Sequence, residues 1–148
     1  MNKVFLQFLG YFAIIFAADQ LIKWLFLQGF RWQSDFIDLV LVYNKGVAFS
    51  MLAFLEGNLK YLQIALITLL VIYLIKQKEL LKLHTAAFGL ILGSGCSNIF
   101  DRFIHPGVVD YIFWHKWFEF AVFNFADIMI NLGVAIILLQ TLIQKKAK

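Results

Sequence analysis

An all-α polytopic membrane protein with four transmembrane helices is the fold class this sequence predicts, and three observations carry it. Hydrophobic residues make up 62% of 148 positions, with a mean hydropathy of +0.81, and a domain in water would have to expose much of that surface as large apolar patches. Four apolar segments have the ~20-residue length that a helix needs to cross ~30 Å of hydrocarbon. The lysines fall where a four-pass chain would return to one face of the membrane.

The first segment, 4–26, lacks the short apolar core and small-residue cleavage site of a cleaved signal peptide, so it reads as a span. The connection after it carries the β-forming run Phe36-Ile37-Asp38-Leu39-Val40-Leu41-Val42-Tyr43 and ends at Asn44-Lys45-Gly46. That pattern predicts a short strand or hairpin, completed with Val47, Ala48 and Phe49 as a small sheet at the interface. The second span covers 59–75, and Lys76, Lys78 and Lys82 follow it; His84, among these lysines, is expected at the lipid headgroups. The third span covers 85–104 and is stopped by Pro106-Gly107, after which Trp114, Trp117 and Phe118 read as interfacial anchors. The fourth covers 123–143 and leads to Lys145, Lys146 and Lys148.

Together with Lys3, these lysines define one side, which the positive-inside rule makes cytoplasmic. Both termini are then cytoplasmic, and the connections 27–58 and 105–122 lie outside. The net charge of +4 is accounted for by this topology and gives no sign of nucleic-acid binding. Cys96 stands alone, which excludes an intramolecular disulfide or a multi-cysteine metal site and marks it as a small packing residue. No repeat or linker divides the chain, so 1–148 reads as one integral membrane domain.

Ionisable groups inside apolar segments are costly, so each is a candidate functional group with structural pairing as the alternative. Asp19 and Lys23 are four apart on one face of the first segment, where they can form an ion pair. In the third, Ser94, Ser97, Asn98 and Asp101 follow helical spacing toward the outer end. Arg102 stands beside them and is expected to pair with Asp101, keeping that carboxylate ionised. In the fourth, Asn124, Asp127 and Asn131 recur at intervals of three and four. The two stripes should face each other, with Gly93, Gly95 and Gly133 permitting close helix approach.

Asp110 follows the Pro106-Gly107 break in an apolar stretch expected near the interface, so it can return toward Asp127. Two carboxylates in a partly dry site share a proton, one acting as base and the other as acid, which suits activation of water for peptide hydrolysis. Other chemistries are less well supplied. No His-Glu-x-x-His run is present for a zinc protease. His105, Asp110 and His115 lack diagnostic metal spacing. Ser50, Ser94 or Ser97 with Lys23 would make a serine nucleophile without the Gly-x-Ser-x-Gly elbow. An ion-coupled transporter would need a path across the membrane, whereas these carboxylates cluster at one end. A structural scaffold would keep its function with Asp110 and Asp127 both neutralised.

In order along the chain, Asp19-Gln20-x-x-Lys23, Asn44-x-Gly46-x-Ala48-Phe49, Asn98-x-x-Asp101-Arg102, Gly107-x-Val109-Asp110-Tyr111 and Phe123-Asn124-x-Ala126-Asp127 resemble the type II lipoprotein signal peptidases, bacterial aspartyl proteases of the inner membrane. The resemblance implies that Asp110 and Asp127 are a catalytic dyad and that Asn98, Asp101, Arg102 and Asn124 organise the site. Asp19, Lys23, Asn44 and Gly46 would support the site and substrate binding. It also implies an extracytoplasmic β-cradle and a mobile outer helix fitting 52–58. The implied substrate is a prolipoprotein carrying diacylglycerol, cleaved just before the lipidated cysteine by a monomer embedded in membrane lipid, with no metal or organic cofactor. Two features depart from the family pattern: serines interrupt Gly93-Ser94-Gly95-Cys96-Ser97-Asn98 where glycines are common, and Tyr111 stands where phenylalanine is usual.

Overall fold

Long runs of Leu, Ile and Phe in a lipid-like environment leave the backbone only its own hydrogen bonds, which selects helix for the apolar segments. The computed structural model describes residues 3–46 and 53–146. Its elements in chain order are α1 (Lys3–Leu27), β1 (Ile37–Asn44), a 3₁₀ segment (Ala53–Asn58), α2 (Leu59–Lys76), α3 (Lys78–Leu83), α4 (Thr85–Ile104), β2 (Val108–Trp114) and α5 (Phe125–Lys146). Val47, Ala48, Phe49, Ser50 and Leu52 lie outside the described residues.

Among the described residues, three helices are long and apolar enough to cross a membrane: α1, α2 and the 125–145 stretch of α5. The fourth expected span, α4, has 20 residues, and its polar stripe dilutes its apolarity. That stripe explains its position, because α4 packs against α1, α2 and α5 and buries Ser94, Ser97 and Asp101 among them. At Gly93 an added Cβ would stand 2.7 Å from the Phe12 carbonyl oxygen, and at Gly133 one would stand 2.9 Å from that of Ala87. These contacts bring α1 and α5 close against α4, as small residues allow in membrane bundles. In contrast, α2 leaves Tyr61, Leu62, Leu66, Leu69, Ile72 and Ile75 exposed, a face for lipid.

One local expectation is corrected. The short helix α3 occupies the loop after α2, and His84 beside it is buried instead of reaching the headgroups. Its Nδ1 lies 2.5 Å from Gln140 Oε1, so it ties the α3–α4 corner to α5. The strand expected over 36–43 is present, and among the described residues it meets Trp32 in a local bridge at Leu39 and the remote strand β2 along its length. β1 pairs antiparallel with β2, with Asn44 opposite Val108 and Val42 opposite Asp110, and the register shifts between Leu39 and Val42. Such an irregularity bends the pair locally. Ile112 also bridges to Phe123, which leads the chain from β2 into α5. Asp110 therefore sits on a strand braced by β1 on one side and by the approach to α5 on the other.

Candidate active site

The first turn of α5 shows how the sequence positions one carboxylate. A helix begins with N–H groups that lack intrahelical partners. Here each of the first three finds an oxygen: Phe125 N–H donates to Tyr111 Oη (3.0 Å), Ala126 N–H to Asp19 Oδ1 (2.9 Å), and Asp127 N–H to Asn124 Oδ1 (2.9 Å). In return, Asn124 N–H donates to Asp127 Oδ2 at 3.1 Å. Asn124 and Asp127 thus form a reciprocal capping pair three residues apart. This cap is why α5 starts at Phe125 and not at 123. Asp127 Oδ1 accepts from Asn98 Nδ2 of α4 at 3.1 Å, so the two polar stripes meet as expected.

Asp110 is held from both sides. Its Oδ2 accepts from Asn44 Nδ2 of β1 at 2.9 Å, and its Oδ1 from Asn124 Nδ2 at 2.7 Å. Burial outweighs these hydrogen bonds and, with the charge of Asp127 nearby, pushes Asp110 up to about 7. Burial also raises the phenol of Tyr111 above its usual range. Gly107 permits the strand arrangement, because a Cβ there would stand 2.5 Å from the carbonyl oxygen of Asn44.

Beneath this pair lies a buried charged cluster. Lys23 Nζ is 2.6 Å from Asp19 Oδ2 and 2.7 Å from Asp101 Oδ2, and it donates to Asn98 Oδ1 at 2.8 Å. Ser97 Oγ donates to Asp19 (2.7 Å), and Gln20 Nε2 donates to both Ser97 Oγ and Asp101 Oδ1 (2.8 Å each). Val109 N–H adds a bond to Asp101 Oδ2 at 3.1 Å, which anchors β2 next to Asp110. The expected partnership of Asp101 with Arg102 is not observed. Consecutive helical residues point about 100° apart, so Asp101 faces Lys23 on α1 while Arg102 turns to the loop after β1. There its guanidinium donates to the carbonyls of Asn44 and Gly46.

Asn44, Gly46, Asn98, Arg102, Asp110 and Asp127 all line one cavity of about 440 Å³. Asp19, Lys23, Asp101 and Asn124 stand behind its wall and hold those residues in place. Asn131 also lines it, while Ser94 is buried without a hydrogen-bond partner among the described residues. The loop metal triad does not assemble: His105 packs on Tyr43, and His115 lies 3.2 Å from Asp38, near enough for an ion pair but without hydrogen-bond alignment. Among the described residues no group of three or more His, Cys, Asp or Glu is placed to hold a metal ion.

Three contributors escape the sequence reading. Gln20 is quoted in the first motif, yet its bridge between Ser97 and Asp101 depends on how α1 meets α4. Gln63 lines the cavity from α2 with a buried Oε1 that has no partner among the described residues, and its signal was a lone amide within an apolar run. Tyr111, noted only as a departure, stacks on Phe26 with centroids 4.0 Å apart and gives its oxygen to the start of α5. Tyr111→Phe removes that acceptor and is expected to cost about 1–2 kcal/mol of stability, in the range of a lost helix cap or an unmet buried donor. Thermal unfolding in detergent checks this, and an unchanged midpoint would show that the bond contributes nothing.

The family model described as signal peptidase (SPase) II matches residues 11–143. A protein named lipoprotein signal peptidase from Campylobacter jejuni (strain RM1221) is 59% identical over 146 residues, covering 99% of this chain and 94% of its own. One of the same name from Helicobacter pylori (strain ATCC 700392 / 26695) is 57% identical over 139 residues, covering 94% and 88%. Among solved structures, a bacterial membrane enzyme determined by the in meso method at 2.3 Å resolution superposes with a TM-score of 0.76 at 21% identity, covering 94% of this chain and 88% of that one. At that identity the likeness speaks for the fold.

Proposed function

We propose, from the premise that this chain belongs to the signal peptidase II family of aspartic peptidases, that Asp110 and Asp127 are its catalytic dyad. The protein is a multi-pass bacterial membrane enzyme that removes signal peptides from prolipoproteins. The observation that carries the dyad is that these two carboxylates line one cavity while the other buried acids, Asp19 and Asp101, are taken up by Lys23.

Asp110, raised to about 7, is the member that holds a proton near neutral pH. Asp127 receives the Asn124 N–H at the positive end of α5 and is the member left to carry negative charge. An attacking water gives its proton to Asp127 while Asp110 hydrogen-bonds the scissile carbonyl oxygen. The tetrahedral intermediate then collapses, the C–N bond breaks, and the proton held by Asp127 passes to the departing amine. Gln63 Oε1 is placed to accept a backbone N–H from the extended signal peptide.

The finer topology belongs to the same reading. All four long helices span the membrane as a single domain, both termini are cytoplasmic, and the dyad lies at the outer surface. The cavity is walled by Gln63 of α2 and by Ile130 and Asn131 of α5, so a substrate reaches it sideways from lipid. A prolipoprotein whose cysteine bears diacylglycerol can keep its acyl chains in hydrocarbon while the bond before that cysteine reaches water. Each buried CH₂ adds about 0.8 kcal/mol of membrane affinity. We read the enzyme as a monomer. Incubation of purified protein with diacylated and unlipidated precursors at matched membrane occupancy tests the substrate, and equal cleavage of the two would remove lipid selection.

A pH dependence follows from Asp110. Its folded value of about 7 stands above the ordinary ~3.9 of an aspartate. The stability it contributes is therefore complete below about 4 and lost as pH rises to about 7. Turnover should fall above about 7, and thermal stability should decline between about 4 and 7. Asp110→Asn should flatten that decline, and a variant that retains it in full would contradict the assignment.

A further inference from the structure

On the far side of Arg102 from the dyad lies a second recess. Lys45, Lys60 and Arg102 bring three cations to a cavity of about 210 Å³ completed by Gly57, Pro106 and Gly107. It sits where α2 begins and α4 ends, the level at which both helices leave the hydrocarbon. Next to it, an apolar groove of about 360 Å³ follows the seam between α2 and α4, lined in part by Ile64, Thr68, Ile99 and Phe100. Lys60 and Phe103 join the two: the Lys60 ammonium stands 4.6 Å from the centroid of the Phe103 ring, which itself lines the groove. Lys60, Ile64 and Thr68 are spaced four apart, so the cation and the groove share one face of α2.

Three cations at the water–lipid boundary above an apolar channel are complementary to a molecule with a negative head and a hydrocarbon tail. We propose that this is a binding site for an anionic glycerophospholipid, with the phosphodiester among Lys45, Lys60 and Arg102 and one acyl chain in the groove. The diacylglyceryl group of the proposed substrate carries no phosphate and so lacks what the cations select. Arg102 lines both the recess and the dyad cavity. Its guanidinium holds the carbonyls of Asn44 and Gly46, and its Nε has no partner among the described residues. A bound phosphate therefore steadies the same loop from which Asn44 reaches Asp110.

The test is native mass spectrometry of the full chain released from nanodiscs of mixed phosphatidylglycerol and phosphatidylcholine, a readout independent of turnover. Wild type should retain phosphatidylglycerol preferentially. Lys60→Gln should weaken that retention roughly fivefold, the loss expected for one cation near an anionic headgroup. Thr68→Phe, at an exposed groove position, should reduce retention by filling the channel. Equal retention of the two lipids by wild type, or wild-type retention by both variants, overturns the proposal. Displacement of the lipid by excess inorganic phosphate would reduce the site to an anion pocket and overturn it as well.

Discussion

Asp110→Asn and Asp127→Asn proteins are expected to fold, bind precursor and fail to cleave it. In the proposed mechanism Asp127 takes up and returns the water proton while Asp110 offers an acidic one to the scissile carbonyl, and an amide can do neither. General acid and base contributions are commonly ~10²–10⁴ in rate, and residues acting as one unit lose it non-additively. The double variant should therefore resemble either single one. The hydrogen-bond pattern predicts a modest cost alongside. Both oxygens of Asp110 accept from asparagine amides, and both of Asp127 accept from N–H donors. An asparagine at either place turns one acceptor into a donor facing a donor, costing about 1 kcal/mol. Single-turnover cleavage by folded protein in nanodiscs separates the two effects, and a near-wild-type rate in either variant would end the dyad assignment.

Lys23→Met is expected to have the largest effect on stability. Its ammonium lies between Asp19 and Asp101, and Asp19 is 0% and Asp101 1% exposed. Removing one partner of a buried ion pair typically costs about 3–5 kcal/mol, because the remaining charge is stranded. Here two carboxylates would be stranded at the junction of α1, α4, β2 and the start of α5. The variant should be poorly expressed or unfold at much lower temperature. Adding Asp101→Asn should recover part of the loss by removing one of the two stranded charges. A Lys23→Met protein as stable as wild type would mean that the carboxylates are neutral or solvated.

Features with a local cause were legible in the chain. The apolar segments are set by length and composition, and the stripes Ser94-Ser97-Asn98-Asp101 and Asn124-Asp127-Asn131 are set by helical spacing, so their meeting through Asn98 and Asp127 was expected. What the sequence left open depended on direction or distance. Nothing in adjacency reveals that Asp101 and Arg102 turn to different neighbours, because that follows from where α1 and the loop after β1 lie. The run ending at Tyr43 announced a strand but not that its partner begins at Val108. A lone Gln63 in an apolar helix, and the phenol of Tyr111, find their places only once α2 and the start of α5 come to the cavity of Asp110 and Asp127.

The bond from Ala126 N–H to Asp19 Oδ1 joins positions 107 residues apart, and this bears on biogenesis. Translation delivers α1 first and α5 last, so Asp19, Lys23 and Asp101 can meet in the membrane while the ribosome still holds the second carboxylate. Closing so distant a contact is the slow, entropically demanding part of assembly. A nascent chain halted before Phe125 would thus be inserted, partly packed and proteolytically silent. With Asp127 as half of the proposed dyad, completion of synthesis itself arms the enzyme.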